Sequence, residues 1–213
     1  MLLAFDTATP FVTVALHDGE SVVAEARSEV RMKHGEHLAP LIEAVLRDAG
    51  VVRQDLTALA VGTGPGPFTG LRVGLVTAAA MGQALAIPTY GVCSLDALGR
   101  AAGPGRVLVA TDARRKEVYF AAYTDGVRSG EPDVARPGDV TVTADRAVGE
   151  GALKYSEIFG VPIDDRLLYP PGEALVALAA DRIRTGRPSE RLTPLYLRRP
   201  DAVESVSRKT VLQ

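Results

Sequence analysis

Tryptophan is absent from this 213-residue sequence, cysteine occurs once and histidine three times. The lone Cys93 rules out an internal disulfide and a cysteine-built metal cluster. No charge of one sign dominates: 24 Lys and Arg stand against 26 Asp and Glu, a formal net charge of −2. A protein that binds nucleic acid alone carries a strong basic field, and this chain has none overall. Long apolar runs are missing too. The longest, Leu75–Ile87, is interrupted by Thr77, Gly82 and Gln83 and falls short of the roughly 18 residues of a membrane span. The opening MLLAFDTATPF has neither the basic lead nor the apolar core of a secretory signal. With 46% apolar and 23% charged residues, the sequence predicts an ordinary globular protein, cytoplasmic and without a membrane partner.

What is present is pattern, and it occurs twice. LLAFDTA (2–8) is an apolar run ending in Asp-Thr, and FVTVALHDG (11–19) alternates and closes on the hairpin signal Asp18-Gly19. SVVAEARSEV continues the meander. Leu38, Leu41, Ile42, Val45, Leu46 and Ala49 then fall on one face of a helix that Gly50 can cap. Pro40 belongs in a first turn, which predicts a start near Gly35–His37. A buried strand (56–62) leads through GTGPGPFTGLRVG into a helix over about 69–86, and Ser94 is placed to cap the next helix through Ala102. After AAGPG (101–105) the order restarts. RVLVATDA (106–113) ends in Thr-Asp, EVYFAAYTDG (117–126) closes on Asp125-Gly126, and AVGEGALKY (147–155) echoes AVGTGPGPF. A helix over 173–186 closes the second half. Three echoes in one order predict an internal duplication: an N-terminal lobe (1–102), a C-terminal lobe (103–190), and a segment (191–213) returning toward the first lobe with a flexible tail.

Two lobes facing across a cleft would bring Asp6 and Asp112 to it from opposite sides. Paired carboxylates suit Mg²⁺ and a polyphosphate; equally, each can end its strand by bonding its own turn. The 62–70 loop lacks the Lys-Ser/Thr of a P-loop, its glycines are spaced one residue too far for the dinucleotide fingerprint, and Pro65 and Pro67 remove donors. Asp6, Thr7, Gly64, Gly66 and Asp112 are the candidate nucleotide contacts. Gly70, Gly74, Ala78 and Gly82 recur every four residues, a stripe that admits another helix to close approach. With Leu38, Leu41, Ile42 and Val45 it forms the candidate partner interface. His34 and His37 lack a third ligand and read as a charged, exposed helix start; no metal site is expected. Neither Cys93 nor Ser94 has a base in sequence context, and no nucleophile–base pair stands out.

LLAFDTAT, HLAPLIEAVL, AVGTGPGPFTGLRVG, GVCSLDAL and TDARRKEVYFAAY together resemble the TsaB (YeaZ) family of bacterial tRNA threonylcarbamoyladenosine-synthesis subunits. The likeness runs from residue 2 to about 125 and returns at PLYLRR (194–199). It implies a duplicated two-lobed α/β fold of the actin-like, sugar-kinase-like class, with mixed five-stranded-type sheets flanked by helices. It also implies a non-catalytic subunit, not an enzyme. Such a subunit pairs, through helices matching about 34–49 and 70–86, with a TsaD-like catalytic paralogue, and a TsaE-like ATPase joins the pair. That paralogue's paired-His metal motif is not carried over, because Leu38 stands four residues after His34. The chain is expected to form a homodimer when alone, to reach tRNA only through the complex, and to need no cofactor, with ATP or ADP held weakly or at the subunit interface. Two rival readings stay open: a stand-alone ATP-dependent phosphotransferase using Asp6 and Asp112, and a peptidase, for which no site is visible.

Overall fold

In the computed structural model, which describes residues 1–28 and 30–198, the chain opens with three antiparallel strands, β1 (Leu2–Asp6), β2 (Thr13–His17) and β3 (Val22–Arg27). Helix α1 (His34–Asp48) crosses to β4 (Ala58–Gly62), and α2 (Phe68–Leu85) crosses to β5 (Thr89–Val92); both strands run parallel to β1. The sheet order is β3-β2-β1-β4-β5. Helix α3 (Ser94–Ala102) leads to β6 (Arg106–Asp112), β7 (Val118–Thr124), β8 (Val127–Arg128) and β9 (Asp133–Ala135). Then come β10 (Arg146–Val148), α4 (Glu150–Lys154), α5 (Ser156–Phe159), β11 (Ile163–Asp164) and α6 (Gly172–Arg184). The second sheet, β11-β10-β6-β7-β8 with β9 also on β7, has the order and directions of the first. The duplicated two-lobed fold is therefore present. Asp125 and Gly126 carry the two left-handed φ values (51° and 77°) that a tight hairpin of this twist requires.

The copies differ most at the first crossover. Where α1 spans the first lobe, the second has only a 3₁₀ turn, Pro137–Asp139, because Gly130, Pro132, Pro137 and Gly138 break any helical run. Helix α1 begins at His34, earlier than Pro40 predicts. The proline stands in the second turn on an exposed face, where solvent can serve the Glu36 carbonyl that lacks its usual donor.

The helix that closes the second half of the sequence does not cover the second sheet. Ala174, Leu175, Val176 and Ala179 of α6 pack on Ala4, Ala58, Ala60, Tyr90 and Val92 of the first sheet. In exchange, Leu95 and Leu98 of α3 pack on Val107, Val109, Tyr123 and Val148 of the second. Each exchanged helix seats through a glycine: a Cβ on Gly172 would lie 2.1 Å from Ala15 Cβ, and one on Gly99 would lie 2.2 Å from the Tyr123 ring. The helices α3 and α6 touch between the sheets, so each lobe's core contains a helix from the other half of the chain. The first sheet's other face meets α1 and α2 through Leu3, Phe5, Leu16, Leu59 and Val61.

Residues 189–198 run back along the first lobe and across to the second. Glu190 N–H donates to Thr89 O (2.9 Å) and Leu195 N–H to Thr63 O (2.8 Å). Arg198 donates to Ala113 O (2.9 Å) and pairs with Glu117. The tail from 199 onward, including Arg199 of the PLYLRR stretch, lies outside the described residues. No helix among those described is long and apolar enough to cross a membrane.

The small-residue stripe of α2 is consumed by this packing. A Cβ on Gly74 would lie 2.4 Å from Thr7 Oγ1, and one on Gly82 would lie 2.6 Å from Thr89 Cγ2. Gly74→Val should therefore destabilise the isolated chain by about 1–3 kcal/mol, lowering its thermal midpoint by roughly 3–10 °C. A calorimetric midpoint equal to wild type would mean that the stripe faces outward.

Candidate functional site

A cleft of about 570 Å³ opens between the lobes. Lys33, Thr69 and Val73 line it from the first lobe, Ala113 and Arg114 from the second, and Tyr196 and Arg198 from the returning segment. At its root the β1 carboxylate is closed off. Asp6 is 1% exposed; its Oδ1 accepts Ala8 N–H (2.8 Å) and its Oδ2 accepts the Ser94 hydroxyl (2.5 Å). Ser94 Oγ also accepts Gly64 N–H (3.1 Å), and Gly64 O accepts Ser94 N–H (2.7 Å). Ser94 thus binds the glycine loop to Asp6 and makes no cap to its own helix, correcting its predicted role. Gly62 permits this closeness: its Cβ would sit 1.8 Å from Asp6 Oδ2. Burial holds the Asp6 carboxyl above its ordinary range, against the pull of Ser94, Ala8 N–H and His34.

Of the other candidate nucleotide contacts, Gly66 lines the cleft, and Thr7, Gly64 and Asp112 do not. Thr7 is fully buried and donates to Gly70 O (2.8 Å), and Gly66 lies against the Ala8 backbone. Asp112 is half-buried; Lys154 Nζ holds its Oδ1 at 3.0 Å, and its N–H donates to Glu150 Oε1 (3.3 Å). Glu150 stands between Gly149 and Gly151 in the second Gly-x-Gly loop. The repeated Gly-x-Gly marked its loop, but no sequence signal told that its side chain turns inward. It is 8% exposed, and burial raises its carboxyl; the Asp112 N–H hydrogen bond pulls it back, the Asp112 charge adds to the rise, and Arg31 opposes it. Arg31 reaches it across the cleft at 3.8 Å.

The histidines depart from the exposed, charged reading. His34 is buried with Nε2 2.7 Å from Thr9 O, and His37 Nε2 is buried with no hydrogen-bond partner among the described residues. No group of three or more His, Cys, Asp or Glu able to hold a metal ion occurs among the described residues. Burial, with Asp96 beside it, pushes the Cys93 thiol up to about 11, so it is no thiolate at neutral pH.

The candidate interface residues point into the lobe. Leu38, Ile42, Val45 and Ala78 lie in the core with Phe5 and Leu59, Leu41 packs against it half-buried, and Gly70, Gly74 and Gly82 are covered by Thr7 and Thr89. An amphipathic helix in a globular lobe satisfies its apolar stripe at home first. The surface that remains is the opposite face of α2: Phe68, Arg72, Val76, Ala79, Ala80 and Gln83, all exposed, with Val76 at 66%. Phe68 stacks on Tyr196 (5.1 Å between centroids), and the Arg72 guanidinium sits 4.0 Å from the Phe68 ring centre. Beside this face a groove of about 750 Å³ runs between α2 and residues 189–196.

Comparison with known proteins gives this geometry a context. A family model described as TsaD, tRNA N6-adenosine threonylcarbamoyltransferase, matches residues 26–188. An uncharacterized protein of Mycobacterium tuberculosis is 46% identical over 209 residues, covering 94% of this chain and 93% of its own. The tRNA threonylcarbamoyladenosine biosynthesis protein TsaB of Escherichia coli is 31% identical, covering 92% of this chain and 94% of its own. Among solved structures, YeaZ from Pseudomonas aeruginosa superposes with a TM-score of 0.77 at 32% identity, covering 92% of this chain and 99% of its own.

The raised Asp6 carboxyl has a defined pH signature. A folded-state value above the ordinary one means that the folded chain binds the proton more tightly, so this group's contribution to stability declines as pH rises between those two values. The thermal midpoint of wild type relative to Asp6→Asn, followed from about pH 4 to pH 7, should fall with rising pH. A difference that climbs with pH would mean that the buried carboxylate is favoured over the acid.

Proposed function

The chain belongs to the TsaB (YeaZ) branch of the threonylcarbamoyltransferase family, and from that premise we propose that it is a non-catalytic, activating subunit. Its role lies in the biosynthesis of threonylcarbamoyladenosine in tRNA. In this reading it pairs with a metal-bearing, TsaD-like paralogue that carries out the transfer to an anticodon-adjacent adenosine, and a TsaE-like ATPase joins the pair. The observation that carries the reading is the uncovered face of α2, where Val76, Ala79 and Ala80 form an apolar strip beside an open groove. A strip of this kind in an isolated chain marks a contact with another protein. Without the paralogue, a second copy of the chain would cover it.

The cleft supports an accessory role. Asp6 is walled in by Gly62 and Ser94, and Lys154 holds Asp112, so neither carboxylate is presented to a Mg²⁺–polyphosphate as a phosphotransferase would need. The Cys93 thiol is held protonated and lacks the character of a peptidase nucleophile. Any ATP or ADP then belongs at the interface of the assembled complex.

Threonylcarbamoyl transfer to tRNA, with the adenylate donor and the paralogue supplied, should depend on adding this chain. Val76→Arg, at a site too exposed to disturb folding, should weaken pairing by tenfold or more, equivalent to at least about 1.4 kcal/mol. Activity should fall with it and recover at high subunit concentration. Full transfer without the chain would remove the proposal.

A further inference from the structure

The turn between β6 and β7 has backbone strain in an unusual place. Arg114, Arg115 and Lys116 have φ values of 61°, 49° and 62°, the one run of three consecutive left-handed non-glycine residues among those described. Ala113 N–H to Glu117 O (3.0 Å) and Glu117 N–H to Arg114 O (2.9 Å) close the turn. Left-handed backbone is costly for L-residues with a Cβ, and glycine or asparagine relieves the cost. Here the positions hold two arginines and a lysine, all exposed, so repulsion between like charges adds to the strain. Such strain persists where its surroundings enforce it, and it clusters at functional sites. At the base of the turn Arg198 holds Ala113 O and Glu117.

The other consecutive left-handed non-glycine pair, Met32 (67°) and Lys33 (61°), lies on the first lobe and brings Lys33, ion-paired with Glu36 at 3.0 Å, to the same cleft that Arg114 lines. The positive field is local. The chain has a formal charge of −2 with the three turn cations included, so the remaining residues stand at −5. The stacked Phe68 and Tyr196, 46% and 41% exposed, border the same cleft.

We propose that the 114–116 turn, with Lys33 opposite, grips the sugar–phosphate backbone of the tRNA substrate. The inference rests on the role in tRNA modification given above and adds to it a direct RNA contact by this subunit. Adjacent, exposed cations on a convex turn suit a polyanion, which offers several phosphates to one turn and releases counterions on binding. A protein partner is less well matched, because burying adjacent like charges against it would desolvate them.

The double variant Arg114→Asn, Lys116→Asn removes two charges and installs residues that accept left-handed backbone. In the assembled complex, binding of an unmodified tRNA transcript, followed by fluorescence anisotropy across salt concentrations, should weaken about tenfold near 0.1 M salt. The slope of log affinity against log salt should flatten by roughly 1–2. Pairing with the paralogue should be retained, and the variant's thermal midpoint should rise as strain and repulsion are relieved. Unchanged tRNA affinity and slope would overturn the inference. So would loss of pairing with the paralogue, which would make the turn a protein contact. If the wild-type chain does not pair at all, the proposed function fails instead, and the same titration on the chain alone decides this point. Salt-dependent tRNA binding weakened by the double variant then supports the inference; equal binding, or none, overturns it.

Discussion

One buried joint organises the molecule. Where β1 ends, the Asp6 carboxyl takes hydrogen bonds from Ala8 N–H and the Ser94 hydroxyl, and Ser94 in turn clasps the backbone of Gly64. One residue on, Thr7 bonds Gly70 O and fills the space that Gly74 leaves open. The first strand, the glycine loop, α2 and α3 are thereby fixed relative to one another through three side chains. A buried polar cluster of this kind stabilises only when every member is satisfied, which makes it intolerant of change. It also closes the position at which a fold of this class could present a carboxylate to a ligand. The same glycine-rich loop that looks like a phosphate cradle in sequence has its Gly64 donor committed to Ser94.

With the first-lobe root of the cleft sealed, the surface features gain weight. The exchange of α3 and α6 makes the lobes mutually dependent, since neither core is complete without a helix from the other half. Residues 189–198 add a second connection along the first lobe to Arg198 on the second. Such a body is suited to presenting fixed surfaces: an apolar helix face on α2, and a cationic turn held in left-handed backbone by the strands that flank it. The two lie on separate elements.

Much of the architecture was legible in the residues. Alternation marked β2 and β7, period-3.6 spacing marked α1, and the Asp-Gly pairs placed two hairpins, because these signals are local and each reports its own element. The repeat of Asp6 and Asp112 at equivalent strand ends pointed to the duplication, and the structure supplied the matching sheet orders. The site was legible only in part. His34 read as exposed because a helix start usually is, yet the Thr9 carbonyl lies 2.7 Å from its ring. The glycine stripe read as a partner seam, because spacing shows that a helix can be approached closely but not by what. Glu150 left no mark beyond its flanking glycines.

The sequence by itself determined the element order, the internal repeat and the family, all carried by short motifs whose chemistry is local. It also settled that no disulfide can cross-link the chain internally, since that needs only a residue count. Tertiary structure alone decided which helix covers which sheet, which carboxylates are closed off, and which face of α2 is left for others. Those outcomes depend on contacts between residues as far apart as Asp6 and Ser94 or Ala15 and Gly172. Hydrophobic spacing sets which side of a helix is buried; the partner that buries it is set by the topology of the whole chain.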